Sequence, residues 1–148
     1  MNKQDFDFDT EKFQKALVRN NRLLAATRTH LHNAISHWAG FTKSMFGGSA
    51  NIVIDEQSKN IAGDVLGKSF AITFGVLATD DFCRVEAIIF SPSTQANREI
   101  EVGRFYFGSD GKIFSANNEV LMHEHEEFQS YSLLVAVLRK VLSTPQSV

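Results

Sequence analysis

Leu17, Leu24, Leu31, Trp38 and Met45 recur every seven residues, and just beyond Gly47-Gly48 the apolar positions alternate every second residue instead. The first spacing keeps one face of a helix apolar and the second keeps one face of a strand apolar, so the change of period separates a helical opening from a sheet. Asp9 is placed to cap the helix, because its carboxylate can accept from the free N–H groups of the first turn. With Asp9 as cap, Phe8 and Phe13 occupy the two positions of a hydrophobic staple, and Glu11 lies where the helix dipole favours negative charge. Phe13, Leu17, Leu24, Leu31, Ile35, Trp38 and Met45 share one sector at about 100° per residue, with Lys12, Lys15, Arg19 and Arg22 on the opposite flank.

A continuous helix over 10–46 would be about 55 Å long, whereas a globule of this size is about 38 Å across. Either the helix breaks, with Asn20-Asn21 or Gly40 as the expected points, or it projects and a second copy of the chain covers its apolar seam. The seam residues Leu17, Leu24, Leu31, Trp38 and Met45 are therefore the candidate interface. Their heptad companions Asn20, Thr27, Ala34 and Phe41 are too polar at the start for a coiled coil.

After the glycines, 51–55 and 60–66 read as a hairpin around Gln57-Ser58-Lys59, and 69–78 alternates Phe70, Ile72, Phe74 and Val76 with smaller residues. Thr79-Asp80-Asp81 turns the chain into 82–90, whose Cys83, Val85, Ala87 and Ile89 share a face, and 92–97 is a loop. In 98–108 the apolar parity changes between Val102 and Phe105, and a bulge at Gly103 would return both halves to one face. Ser109-Asp110-Gly111 predicts a hairpin, which makes 112–115 the last strand. Residues 124–143 predict an amphipathic closing helix, with Phe128, Tyr131, Leu134, Val135, Leu138 and Leu142 inward, acidic residues at its start, Arg139-Lys140 near its end and Pro145 beyond. The expected fold is a single α+β domain: a lead-in over 1–9, helix over 10–46, a five- to six-stranded antiparallel meander over 51–116, and a C-terminal helix packed on the sheet.

The 148 residues suffice to bury a core without disulfides, and 13 Phe point to an aromatic-rich one. Cys83 is the lone cysteine, so the expected setting is a reducing one, the cytoplasm, and no apolar run approaches the roughly 18 residues of a membrane span. The net charge of −2 conceals a separation. Lys12, Lys15, Arg19, Arg22, Arg28 and Lys43 lie in a stretch without Asp or Glu, while the rest of the chain sets nine cations against seventeen acids. A cationic helix thus sits on an anionic body, and attraction within the fold or across a dimer is the simplest use of that field.

Candidate chemistry is sparse. AGDVLGKS at 62–69 satisfies a loose phosphate-loop pattern, but such a loop needs a helix starting at its lysine, and Phe70 onward alternates as a strand. His123 and His125 could share a face if extended, yet no third ligand is fixed by spacing, and in a helix they would point about 200° apart. His30, His32 and His37 read as surface or interface positions. Asp5, Asp7 and Asp9 imitate a calcium loop whose sixth and twelfth positions are here Thr10 and Ala16 instead of Gly and Glu. Cys83 reads as a small core residue, and Asp80-Asp81 is a catalytic pair only if it lines a pocket. Neither cofactor, metal site nor catalytic set is predicted.

The element order resembles in topology the helix-grip proteins, whose curved sheet clasps a long C-terminal helix around an apolar cavity. The resemblance implies a strand ahead of the helices, which Phe6-Asp7-Phe8 would have to supply, and a pocket lined by Phe74, Ile89, Phe105 and Phe107. Three functions follow in order: a non-catalytic interaction protein that self-associates as a homodimer through the N-terminal helix or a sheet edge; a carrier of, or enzyme on, a small apolar ligand; and nucleic-acid binding through Lys12, Lys15, Arg19, Arg22 and Arg28, disfavoured by the acidic remainder.

Overall fold

In the computed structural model of the protein, which describes residues 1–57, 59–124 and 128–146, the helical opening is two helices. α1 spans Thr10–Ile35 and α2 spans Trp38–Met45. Asp9 caps α1 as expected, its Oδ1 accepting from the N–H groups of Glu11 and Lys12 at 3.0 and 3.1 Å. Asn20-Asn21 and Gly40 are not the break. It falls at Ser36-His37, where His37 has ψ −11°. Two side-chain bonds to carbonyls accompany it. Asn33 O, which would accept from His37 N–H in a continuous helix, accepts the Ser36 hydroxyl, and Ala34 O, the acceptor for Trp38 N–H, takes the hydroxyl of Ser130. Asn20 turns its amide toward the sheet instead, and Gly40 sits exposed within a helix that tolerates it.

Seven antiparallel strands follow in simple meander order, β1 (Ala50–Ile54), β2 (Ile61–Val65), β3 (Lys68–Ala78), β4 (Cys83–Pro92), β5 (Glu99–Gly108), β6 (Ile113–Phe114) and β7 (Val120–Met122), forming one curled sheet. The last is one more than expected: Asn118 adopts φ 65° in the turn after β6 and returns a short strand that the weak run 120–122 did not signal. Lys68 opens a strand, which removes the helix start that a phosphate loop requires. β4 alternates as read, with Cys83, Val85, Ala87 and Ile89 buried. The bulge is also where parity demanded it: Ile89 faces Gly103 while Phe90 faces Glu101, so Val102 is the extra residue and Val102, Phe105 and Phe107 all reach the core. A side chain at 103 would also crowd Lys140, since a Cβ there would lie 3.2 Å from its Cγ.

α3 spans Gln129–Ser143 and starts later than the expected 124. Phe128 adopts φ 60°, a left-handed conformation no helix interior accepts, while Glu124 remains in the preceding turn. His125, Glu126 and Glu127, assigned by sequence to a possible metal ligand and to the acidic first turn, lie outside the described residues. The lead-in strand implied by the helix-grip resemblance is absent. Lys3–Phe6 forms a short 3-10 helix closed by a reciprocal Asn2–Asp5 capping box.

All three helices contribute to one core with β1 through β6: Leu31 and Ile35 from α1, Trp38 from α2, and Leu133, Leu134, Val137, Leu138 and Val141 from α3. Trp38 is wholly buried, and its indole N–H donates to Ser130 O at 3.0 Å. Beside it the Tyr131 ring meets Phe41 edge-on and stacks with Phe46. Trp38→Phe should cost about 1–3 kcal/mol, because it removes the indole hydrogen bond and leaves part of a wholly buried side chain's volume empty. Leu17→Ala, at a position 58% exposed, should stay within about 0.5 kcal/mol. Urea denaturation followed by circular dichroism distinguishes the two.

Candidate interaction surface

The expected seam is divided by the fold. Leu31 and Trp38 are buried inside the chain, Leu24 packs partly against the same core, and Leu17 and Met45 are each 58% exposed. The sheet-facing residues of α1 are Ala16, Asn20, Thr27, Leu31 and Ile35, so its inward face is more polar than the leucine spacing suggested. Thr27 is tolerated at full burial because its hydroxyl donates to Leu23 O at 2.7 Å. Asn20 is tolerated because its amide donates to Thr79 O at 2.9 Å and its Oδ1 accepts from Arg19. Arg19 donates in turn to Asp80 O at 2.7 Å. These contacts tie the end of the third turn of the helix to the β3–β4 turn.

N-terminal to that tie Ala16 is still buried, but residues 10–15, 17 and 18 of α1 are exposed. Phe13 lies on the same helical face as the buried Ala16 and Asn20, yet it is 49% exposed. With it, Met1, Phe6, Phe8, Leu17 and Val18 place six large apolar side chains in solvent within the first eighteen residues. The staple positions Phe8 and Phe13 are among them, so neither ring is sheltered by the other. Gly75, Val76, Leu77 and Ala78 at the end of β3 are exposed as well.

The basic stripe is real but occupied. Lys12, Lys15, Arg19 and Arg22 line an open depression of about 690 Å³ together with Asp9, Glu11, Asp80 and Asp81, four cations facing four carboxylates. Lys15 pairs with Glu11 at 3.0 Å and Lys12 approaches Asp81 at 3.8 Å. A polyanion would have to displace these acids, which weighs against the counterion-release binding that a bare cationic stripe provides. Arg28 is exposed further along the helix and lies near Cys83, a buried thiol whose pKa is pushed up by burial.

The proposed pocket residues sit in the core. Ile89, Phe105 and Phe107 are 3%, 5% and 1% exposed, Phe74 packs partly against the same cluster, and the depression beside α1 is lined by none of them. His30, His32 and His37 are exposed on α1 and at its end, and His123 is exposed beyond β7. Among the described residues, no three of His, Cys, Asp or Glu converge to hold a metal ion. No described helix is long and apolar enough to cross a membrane.

On the sheet face away from the helices lies a cluster that spacing did not reveal. Tyr106 faces Glu86 across β4–β5 and donates to its carboxylate at 3.0 Å, while Arg104 bonds both Glu86 and Glu101. These bonds, that to Glu101 foremost, push the Arg104 pKa further up. Arg84 lies 4.4 Å over the Phe82 ring and 3.7 Å over the Phe114 ring, and burial lowers its pKa. Gly108 makes room for that ring, since a Cβ there would lie 3.0 Å from Phe114 Cε2. The register of β4, β5 and β6 was the signal needed to find the cluster.

Asn20→Ala should destabilise the fold by about 1–3 kcal/mol, by removing a donor to Thr79 O. Lys12→Ala, breaking an exposed pair, should change stability by less than about 1 kcal/mol, and chemical denaturation reads both. Comparison of the chain with protein-family models, with curated proteins and with solved structures returns no match.

Proposed function

We propose that the protein acts by binding and not by catalysis, and that it self-associates as a homodimer through the first two turns of α1 and the neighbouring end of β3. The observation that carries this reading is the exposure of Phe6, Phe8, Phe13, Leu17 and Val18. Scattered apolar residues are normal on a protein surface, but six large ones in eighteen positions are dense, and water opposes leaving them exposed. The 26 residues of α1 span about 39 Å, within reach of the body itself, so helix length alone calls for no second copy. The exposed apolar residues of its first turns support self-association.

The charge pattern favours protein over nucleic acid as the partner, since the cations of α1 face carboxylates of the same chain. Interfaces combine an apolar centre with a polar rim, and here the exposed rings adjoin a neutral, mixed-charge border. The lone buried cysteine accords with a cytoplasmic setting.

Sedimentation equilibrium should return a dimer at high micromolar concentration. Leu17→Glu, which puts a charge in the patch, should weaken the dimer at least about tenfold, or about 1.4 kcal/mol, while leaving circular dichroism unchanged. A monomer at every concentration would refute the reading.

A further inference from the structure

We infer that residues 73–78 of β3 are a docking edge for the same edge of a second copy, which joins the two sheets across a two-fold axis. This inference rests on self-association as proposed above and names its geometry. β3 has eleven residues but β2 only five, and their pairing stops at Ile61 opposite Ile72. Beyond Ile72, β3 is paired on one side alone, with β4. Among the described residues, no strand occupies the other lane.

The direction of the open hydrogen bonds follows from the turn. Lys68 faces Val65 across the two-residue Leu66-Gly67 turn, whose φ values are 51° and 77°. The pair flanking such a turn exchanges both main-chain bonds, so alternate residues from Lys68 onward direct N–H and C=O toward the β2 side. In the unpaired half these are Phe74, Val76 and Ala78. Gly75 through Ala78 are exposed, as a vacant lane requires.

Three features select a second copy as the occupant. An antiparallel strand is self-complementary under a two-fold axis, and centring it on Val76 places Phe74 opposite the partner's Ala78. That arrangement makes about six main-chain hydrogen bonds, two for each facing pair. Next, residues 73–78 hold no charge and no proline, the usual guards of an edge strand, so two copies meet without repulsion. Finally, the vacant lane ends where β2 begins, beside the exposed Lys59, and the incoming copy arrives there with its Thr79-Asp80-Asp81 turn. Two carboxylates thereby meet a cation at each end of the joint.

Amide hydrogen exchange of the wild-type protein across a concentration series tests the geometry. The N–H groups of Phe74, Val76 and Ala78 should gain protection as the dimer forms. Val76→Pro deletes a donor into the lane while leaving the β3–β4 ladder intact, and should raise the dimer dissociation constant by roughly thirtyfold or more. A dimer whose three amides exchange freely, or a folded Val76→Pro protein that dimerises as tightly as wild type, overturns the edge and leaves self-association standing. A wild-type monomer at all concentrations overturns both. If Val76→Pro fails to fold, the wild-type exchange decides alone.

Discussion

The pair of hydrogen bonds that Ser130 makes with Trp38 and Ala34 is the constraint on which the arrangement of helices depends. The indole N–H of Trp38 donates to Ser130 O, and the Ser130 hydroxyl donates to Ala34 O, so one residue of α3 both receives from α2 and occupies a carbonyl of α1. These two bonds anchor the first turn of α3 to the end of α1 and the start of α2, beside the wholly buried Trp38 ring, where an unmet polar group would be costly. The Tyr131 ring, next along α3, then packs against Phe41 and Phe46 and sets the direction in which α2 leads into β1.

A second tie acts at the other end of α1. Asn20 and Arg19 grip the β3–β4 turn through Thr79 O and Asp80 O, which are sixty residues away in sequence. Held at about its third turn and at its last, α1 has little freedom to swing its first turns over the core, and Phe13 and Leu17 in those turns are exposed. These exposed turns and the uncovered half of β3 arise at the same corner of the fold.

Much of this architecture was legible in local pattern. The helix cap at Asp9, the alternation of β4, the hairpin at Ser109-Asp110-Gly111 and the bulge before Phe105 each follow from residues that act on their immediate neighbours. What failed to be legible was what depends on contacts distant in sequence. The break falls at Ser36-His37, beside a contact with residue 130, while the intrinsically poor helix formers Asn20-Asn21 and Gly40 stay within helices. The inward face of α1 was misplaced at its start for a similar reason. A leucine every seven positions implied burial for Leu17, whereas the tie to Thr79 turns Ala16 and Asn20 inward. The basic stripe was visible in sequence, but its neutralisation by Asp80 and Asp81 was not, because those acids arrive through the strand topology.

The two unprotected features differ in what they can specify. An apolar helix flank is attracted to almost any apolar surface, so Phe13 and Leu17 supply area without choosing an occupant. An open strand edge is directional: it accepts only an extended backbone in one of two senses, and its hydrogen bonds lose their partners if the register slips. A sheet edge left bare over half a strand beside a greasy helix flank therefore divides the tasks of recognition. In the proposed dimer the helix flank would contribute affinity and the edge geometry, while Lys59 at one limit of the lane and Asp80-Asp81 at the other would oppose sliding along it. Residues 73–78, uncharged and paired on one side alone with β4, would then have their open lane filled in the assembled state.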